Sequence, residues 1–199
     1  ASAQSLANTA WAFATAGVAA PRLFAAIAEA APSRLHEFNP QEASNTAWAF
    51  ACVDWKDKDL LVALADRSVE CLEAMSDEGR SQLHLVSLHF RSEWGSALYH
   101  DIFPLAPHAD ELLSVFRRCE PRPSRFQRDV AADLDRLGWT HVFEHVTSEG
   151  FSLDMAQPDA KHAVEVDGPS HFLKNAVSKE YVENGPTRLK SRLLRRLGW

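Results

Sequence analysis

The sequence NTAWAFA occupies residues 8–14 and returns unchanged at residues 45–51. Seven identical residues at an offset of 37 do not arise by chance, so they indicate an internal repeat. An apolar pattern with helical spacing follows each copy, at 21–31 and at 59–75. A weaker third copy is expected 37 residues further on, near Gln82. Paired helices at a fixed period predict an α-solenoid of helical-hairpin repeats.

Each copy of the repeat contains a tryptophan, Trp11 or Trp48. Aromatic side chains at solenoid spacing are most often core residues. We therefore expect both tryptophans to be buried in the packing between repeats.

The composition is that of an ordinary globular protein. Of the 199 residues, 46% are hydrophobic and 24% are charged, which excludes disordered and fibrous classes. No run of about 18 apolar residues is present, so no membrane-spanning helix is predicted. The three cysteines are far apart and form no CxxC pair, which argues for a reducing compartment and against a zinc finger or a disulfide framework.

Charge is distributed unevenly along the chain. Residues 1–120 carry 9 Lys and Arg against 16 Asp and Glu, a net charge of −7, whereas residues 121–199 carry 12 against 11, a net charge of +1. Attraction to a phosphate backbone increases with the number of cations presented. Contact with nucleic acid is therefore expected in the second part of the chain.

Four prolines between residues 101 and 123 interrupt the helical pattern, and we place a domain boundary near Pro121. The helical repeats then span 1–120 and a second domain spans 121–199. The predicted fold class is therefore α plus α/β, a solenoid followed by a small α/β domain.

The second domain is predicted to contain a helix, three strands and a last helix. Ser124 begins a capping-box sequence, and Gly138 ends the helix that follows. The last helix is expected over 187–197. The strand-like runs are 141–146, 151–155 and 162–167.

Three acidic residues fall where this predicted sheet gathers them. Asp154 lies near the end of the second strand, whereas Glu165 and Asp167 are two apart on the third, so strand alternation places the latter two on one face. Converging carboxylates repel one another unless a proton or a cation lies between them, and Mg²⁺ prefers such oxygen ligands. Because Asp167 also begins a Gly-Pro turn, a role limited to capping that turn stays open.

The last predicted helix is basic. Arg188, Arg192 and Arg195 follow at i, i+4 and i+7, with Lys190 and Arg196 nearby. A helix N-terminus directs free amides at an anion. These cations either contact phosphate or form an ordinary solvated basic face.

Three blocks of the second domain resemble the RAP domain, an RNA-associated domain found C-terminal to helical repeats in organellar proteins. The blocks are EVDGPSHF at 165–172, NGPTRLK at 184–190 and LRRLGW at 194–199. RAP domains normally continue into another strand where this sequence stops at Trp199, so the domain is expected to be truncated here.

The 37-residue period resembles the octotricopeptide and heptatricopeptide repeats of organellar proteins. That resemblance implies binding of single-stranded RNA along a concave face. Because the repeat region is acidic, docking of protein partners on these repeats is the alternative, and charge alone does not decide between the two.

RAP domains are in turn similar to the restriction-endonuclease-like PD-(D/E)xK fold. This similarity implies that Asp154 and Glu165 are metal ligands for Mg²⁺ and that Asp154, Glu165, Asp167 and His171 form the catalytic set. Asp167 stands where such a nuclease carries lysine, so His171 or Lys161 would have to supply the missing cation. A histidine beside a Gly-Pro turn is also commonly a hydrogen-bonding strut, so catalysis stays open.

Together these resemblances imply an organellar RNA-binding factor that acts in RNA processing, stability or ribosome assembly on single-stranded or ribosomal RNA. Arg188, Lys190, Arg192 and Arg195 would hold the RNA phosphates. The mitochondrion is the expected location and the chloroplast the alternative. A Mg²⁺-dependent endoribonuclease and a non-catalytic scaffold subunit of an organellar assembly are the alternative functions.

Overall fold

Helices make up the first part of the chain, and two small sheets with two helices make up the second. The computed structural model describes residues 1–118, 123–174 and 179–199. The helices are α1 (Ala3–Thr15), α2 (Pro21–Ala30), α3 (Pro40–Cys52), α4 (Lys58–Glu70), α5 (Asp77–Trp94), α6 (Ser96–Ile102), α7 (Ala109–Phe116), α8 (Arg125–Arg136) and α9 (Gly185–Arg196). The strands are β1 (Val142–Val146), β2 (Ser152–Gln157), β3 (His162–Val164), β4 (Phe172–Lys174) and β5 (Tyr181–Glu183).

The helical repeats stack in the predicted register. Helices α1, α3 and α5 pack side by side, and each is followed by a second helix, α2, α4 or α6. Phe24 of α2 packs edge to face on Phe50 of α3, with ring centroids 5.4 Å apart. Gln82 Nε2 donates a hydrogen bond to Asn45 Oδ1 (3.0 Å), 37 residues earlier in the chain. The helical character of the repeat region is therefore confirmed, and α5, which contains Gln82, packs on α3 as α3 packs on α1.

Polar caps fix where these helices begin. The side chain of Asn39 accepts a hydrogen bond from the Glu42 amide (2.8 Å), and Glu42 Oε2 accepts one from the Asn39 amide (3.0 Å), which forms a capping box at α3. The side chains of Asp57 and Ser76 cap α4 and α5. These caps set the helix starts and so keep the stacked repeats aligned.

The two repeat tryptophans differ in exposure. Trp48 is buried, as predicted, because α3 lies between α1 and α5. Trp11 is 40% exposed, so the prediction of burial is wrong for this residue. Helix α1 is covered by α3 on one side only, and Trp11 lies on the other side.

The proline-rich segment contains a helix that the sequence did not predict. Helix α6 ends at Ile102, before Pro104, which confirms an interruption there. The chain then forms a short 3₁₀ turn at Ala106–His108 and the helix α7, which packs on α5. The boundary placed near Pro121 falls outside the described residues.

The second part begins as predicted with a capping box. The Ser124 side chain accepts a hydrogen bond from the Gln127 amide (3.1 Å), and Gly138 ends α8 with a φ of 78°. Helix α8 presents much of its apolar surface to solvent, since Phe126 is 66% and Leu137 is 82% exposed. Its contact with the sheet is therefore narrow.

Strands β1, β2 and β3 form an antiparallel sheet in that order. Strand β3 ends at Val164, so the prediction that Glu165 and Asp167 alternate on a third strand is wrong. The backbone leaves the sheet at Glu165 and enters a 3₁₀ turn at Pro169–His171, where proline provides no amide for a sheet ladder. The two acids are therefore placed by an irregular segment.

A second, two-stranded sheet follows that the sequence analysis missed. Strands β4 and β5 pair antiparallel, with Leu173 opposite Val182. Each strand has three residues, too few to show an alternating pattern. Asn184 then caps α9 by accepting a hydrogen bond from the Thr187 amide (3.0 Å), so α9 begins two residues before the predicted start.

Helix α9 joins the two parts of the molecule. Leu189, Leu193 and Leu194 are buried in the same hydrophobic cluster as residues of the helical repeats and of β2. It also contacts the helices α1, α3 and α5. Among the described residues, every helix is too short or too polar to cross a membrane.

Candidate functional site

Asp154 occupies the middle of β2 and uses both carboxylate oxygens within the protein. Gln127 Nε2 of α8 donates a hydrogen bond to Oδ1 (2.7 Å), and the Val166 amide donates one to Oδ2 (2.7 Å). The carboxylate thus joins α8 to the segment that follows β3. These two hydrogen bonds explain how that segment is held against the sheet.

Glu165 forms an ion pair with Lys190 of helix α9. Lys190 Nζ lies 2.6 Å from Glu165 Oε2 and also donates a hydrogen bond to the Ser152 carbonyl oxygen (2.8 Å). Burial raises the pKa of Glu165, and the neighbouring Lys190 only partly opposes this. Glu165 Oε1 is buried and has no hydrogen-bond partner. Glu165 and Lys190, predicted for different roles, therefore belong to one cluster.

A third carboxylate, Glu144, was missed by the sequence analysis. Its neighbours Phe143 and His145 pair with Met155 and Leu153 of β2, so Glu144 lies beside Asp154 on the adjacent strand. Burial raises the pKa of Glu144, and the charge of Asp154 raises it further. Ser152 Oγ donates a weak hydrogen bond to Glu144 Oε2 (3.3 Å), while Oε1 is buried and unpartnered.

The backbone at Glu144 is unusual as well. Its φ is 53°, a left-handed conformation that a strand residue other than glycine rarely adopts. An acidic residue in the middle of a strand with valine at both ends was the available signal in the sequence. We call Glu144, Asp154, Glu165 and Lys190 the carboxylate cluster.

Asp167 and His171 form a separate pair. His171 Nδ1 lies 2.9 Å from Asp167 Oδ1 and 3.1 Å from Thr187 Oγ1 in the first turn of α9. The His171 carbonyl oxygen also accepts a hydrogen bond from the Asn184 amide (2.9 Å). Through these contacts His171 holds the Gly-Pro turn against α9. This is the non-catalytic role that the sequence left open for it.

In this arrangement the carboxylate cluster offers a Mg²⁺ ion few free oxygens, since among its carboxylates only Oε1 of Glu144 and Oε1 of Glu165 have no hydrogen-bond partner in the described part of the chain. Mg²⁺ requires free oxygen ligands at about 2.1 Å in near-octahedral geometry. Both oxygens of Asp154 accept hydrogen bonds from the protein, and Glu165 Oε2 is paired with the Lys190 ammonium. In the described ranges, this cluster brings no three ligand atoms within 4.8 Å of one another. Lys190 is the cation that pairs with Glu165 in this cluster.

The arginines of α9 bind the C-terminal ends of three repeat helices. Arg188 donates to the Gly17 carbonyl oxygen just after α1 (2.9 Å), and Arg192 donates to the carbonyl oxygens of Ala51 and of Cys52 (3.2 Å) at the end of α3. Arg196 donates to Ser92 Oγ near the end of α5 (3.2 Å). Helix C-termini carry partial negative charge and unpaired carbonyls, so cations stabilise them. We call Arg188, Arg192 and Arg196 the arginine ladder.

The ladder also encloses two acids between α9 and the repeats. Asp54 Oδ1 lies 3.2 Å from Arg192 Nε and 3.1 Å from Arg196 Nη2, and Glu93 pairs with Arg196 and Lys56. Although burial acts to raise it, the pKa of Asp54 is lowered because Arg192 and the other cations surround it. These contacts join α9 to the repeats by charge as well as by apolar packing.

His89 lies beside these acids, fully buried, with Nδ1 3.8 Å from Asp54 Oδ1. Asp54, His89 and Glu93 bring ligand atoms within 4.8 Å of one another, the geometry of a metal group in the part of the chain that is described. The three cations that surround the two carboxylates disfavour a further cation. The group therefore serves to hold α9 against the repeats.

Exposed features of the second part that could contact a ligand include Arg195 and the hairpin β4–β5. Arg195 is exposed on α9, apart from the ladder. On the hairpin β4–β5, Lys174 Nζ lies 5.8 Å from the centroid of the Tyr181 ring, which is 69% exposed. This hairpin was not predicted from the sequence, because a single tyrosine forms no pattern that indicates a strand or a binding site.

The family model of the RAP domain matches residues 164–199. The match includes Glu165, His171, the hairpin β4–β5 and helix α9, and it begins after Glu144 and Asp154. RAP domains are a family of RNA-binding domains, so the match supports a general RNA-related role. The resemblance found in the three sequence blocks is confirmed for this segment.

Proposed function

We propose that this chain, in which a RAP domain follows helical repeats, is a single-stranded-RNA-binding factor of an organelle. It would act in RNA processing, stability or ribosome assembly. The match to the RAP domain over residues 164–199 is the observation that supports RNA binding. The combination of helical repeats with such a domain supports an organelle as the location, the mitochondrion first and the chloroplast as the alternative.

The hairpin β4–β5 is the RNA contact that the geometry favours. Single-stranded RNA is commonly bound by stacking a base on an exposed aromatic ring while a cation contacts the phosphate. Tyr181 offers an exposed ring, and Lys174 lies beside it. Both residues fall inside the RAP match.

Of the four cations proposed from the sequence as phosphate contacts, Arg195 is exposed and its guanidinium forms no hydrogen bond or ion pair with another described residue. Arg188 and Arg192 donate to carbonyl oxygens of the repeats, and Lys190 is paired with Glu165. Each of these three would have to give up a hydrogen bond to reach RNA. The proposal therefore assigns the phosphate contacts first to Lys174 and Arg195.

Fluorescence anisotropy with a labelled single-stranded RNA, at about 50 and 200 mM salt, tests this assignment. Tyr181→Ala should weaken binding about tenfold, because a stacked base contributes about 1–3 kcal/mol. Lys174→Ala should weaken binding and reduce the salt dependence by about one phosphate contact. Phe126→Ala is the matched control, since Phe126 is equally exposed but lies on α8 outside the RAP match.

Equal affinity of Tyr181→Ala and Phe126→Ala would show that the hairpin is not the contact. Absence of salt-sensitive binding by the native chain would favour the scaffold alternative. The same incubation with Mg²⁺ or EDTA tests the endoribonuclease alternative, which requires Mg²⁺-dependent cleavage that is lost in Asp154→Asn.

The organelle is tested separately by imaging the full-length protein with a C-terminal fluorescent tag. Colocalisation with a mitochondrial marker is the expected result. Colocalisation with a chloroplast marker would support the alternative, and a signal outside both organelles would contradict the organellar assignment.

A further inference from the structure

One face of α1 exposes residues that are buried in the next repeat. Trp11 is 40% and Phe13 is 37% exposed, and Ala12 between them is exposed as well. We call Thr9, Trp11, Ala12 and Phe13 the outer face of α1.

The identical residues of α3 have a different environment. Thr46, Ala49 and Phe50 are fully buried, and Trp48 is 6% exposed. Since the two seven-residue segments have the same sequence, the difference comes from their neighbours alone. Helix α3 has the hairpin α1–α2 on this side, and Phe24 of that hairpin packs on Phe50.

The opposite side of the repeated segment serves as an internal control. Ala10 and Ala14 are buried in α1, as are the equivalent Ala47 and Ala51 in α3. In α1 this side packs on the next repeat, so it is covered in both copies. The side that would contact a preceding hairpin differs in exposure between α1 and α3.

The chemistry of α1 is not that of a terminal cap. Solenoids end in repeats with a polar outer face, which keeps the last helix soluble. The first charged residue of this sequence is Arg22, so α1 contains none. Its outer face offers two aromatic rings and an alanine to solvent instead.

We propose that the outer face of α1 is an interface for one further helical hairpin of the same repeat type. That hairpin would cover Trp11 and Phe13 as the hairpin α1–α2 covers Trp48 and Phe50. Its first helix would present a small apolar face like that of Ala3, Ala7 and Ala10 on α1. Its second helix would place an aromatic ring against Phe13, as Phe24 is placed against Phe50.

A second copy of this chain is a poorer occupant. In each copy, the small-residue face of α1 is already covered by α3. From the same helix, a second copy could therefore offer only its own aromatic outer face, a pairing that occurs nowhere between the described repeats. The established contact of α1 with α3 specifies a hairpin with a small-residue face.

The test adds a copy of residues 1–37 directly before Ala1 of the full chain, which preserves the 37-residue period. The midpoint of thermal unfolding should rise by at least about 5 °C, a shift expected from burial of two aromatic side chains in a chain of this size. Amide hydrogen exchange in residues 8–15 should slow at least about tenfold, because a frayed outer helix becomes an internal one. The matched control carries Ala7→Glu and Ala10→Glu in the added copy only, which places charges against the outer face.

An equal midpoint and equal exchange rates in the fusion and in its control would overturn the proposal. Sedimentation of the native chain tests the competing occupant. A native dimer that becomes monomeric in Trp11→Gln would show that a second copy covers this face, and it would overturn the proposal in favour of self-association. A monomeric native chain, together with a stabilised fusion, is the expected result.

Discussion

At the scale of single residues, Lys190 links helix α9 to the carboxylate cluster. Its spacing grouped it with the arginines of α9, yet its ammonium contacts Glu165 Oε2 and the Ser152 carbonyl. One positive charge from within the chain thereby opposes the repulsion among these carboxylates, and it lies closest to Glu165.

Lys190→Met is therefore expected to lower the free energy of unfolding by about 2 kcal/mol, because a partly buried Glu165 loses its charge partner. Millimolar Mg²⁺ should restore part of this loss in the variant, while it leaves the unfolding midpoint of the native chain unchanged. The measurement is thermal unfolding with and without Mg²⁺. Lys161→Met is the control, since Lys161 also donates to a backbone carbonyl but lies outside the cluster. Equal stabilisation of native chain and variant by Mg²⁺ would instead support a metal site at Asp154 and Glu165.

Gly185 is fixed by the close approach of α9 to α1. A Cβ atom at this position would lie 1.8 Å from the Ala14 carbonyl oxygen, so the two helix ends would have to move apart. Gly185→Ala should lower the free energy of unfolding by about 1–3 kcal/mol, as overpacking does, measured by urea titration. Gly168→Ala is the matched control, because a Cβ there meets nothing within 4 Å. Equal stability of the two variants would contradict so close an approach of α9 to α1.

At the scale of elements, α9 acts as a clamp across three repeat helices. Its arginine ladder has one side chain per turn, and the three arginines reach the ends of α1, α3 and α5 in order. Arginines spaced at i and i+4 were predicted to contact phosphates. The same spacing lets them contact the C-terminal ends of adjacent helices.

Arg192→Met should lower the free energy of unfolding by about 3 kcal/mol, because it leaves the carbonyl oxygens of Ala51 and Cys52 without this donor and removes one of the cations beside Asp54. Arg195→Met, on the exposed side of the same helix, should change it by less than about 0.5 kcal/mol. Chemical denaturation and RNA anisotropy on both variants separate the two roles. A loss of RNA affinity in Arg192→Met at unchanged stability would show that this arginine serves RNA rather than the clamp.

Elements with long-range periodicity or local caps were predictable from the sequence. The 37-residue repeat, the capping box at Ser124 and the first two strands are examples. The three-residue strands β4 and β5 were not predictable, because a period of two needs more residues to appear. The partners of α9 were not predictable either, since a basic stripe has the same pattern whether it faces phosphate or helix ends. Glu144 belongs to the site because β1 pairs with β2, and the spacing of residues within one segment does not show how two strands pair.

At the scale of the whole molecule, two buried histidines lie where α5 meets the C-terminal part. His84 Nε2 lies 2.8 Å from the Glu149 carbonyl oxygen in the turn between β1 and β2, and His89 lies among the charges that bind α9. Burial lowers the pKa of each to about 4. For His89 the charge of Arg192 adds to this effect, whereas for His84 the hydrogen bond with Glu149 opposes it.

These lowered pKa values predict a loss of stability in acid. As the pH falls below the ordinary pKa of 6.5, the unfolded chain takes up a proton on each histidine, but the folded chain does not until about pH 4. Each histidine therefore contributes stability above pH 6.5 that is lost between pH 6.5 and about 4. From pH 7 to pH 5 the loss is about 2 kcal/mol for each, from the linkage between proton binding and folding.

Other titrating groups act in the opposite direction, so the prediction is tested on a single residue. Because burial raises the pKa of Glu144 and Glu165, the folded chain gains relative stability as these carboxyls take up protons. The variant His89→Gln lacks one of the two titrating histidines. Between pH 7 and pH 5, the free energy of unfolding of this variant should fall by about 2 kcal/mol less than that of the native chain. Urea titration at both pH values measures the difference. The exposed His36→Gln should leave the native loss unchanged. If both variants lose as much as the native chain, His89 is protonated in the folded state, and the charge network around Asp54 must then be arranged differently from the one described.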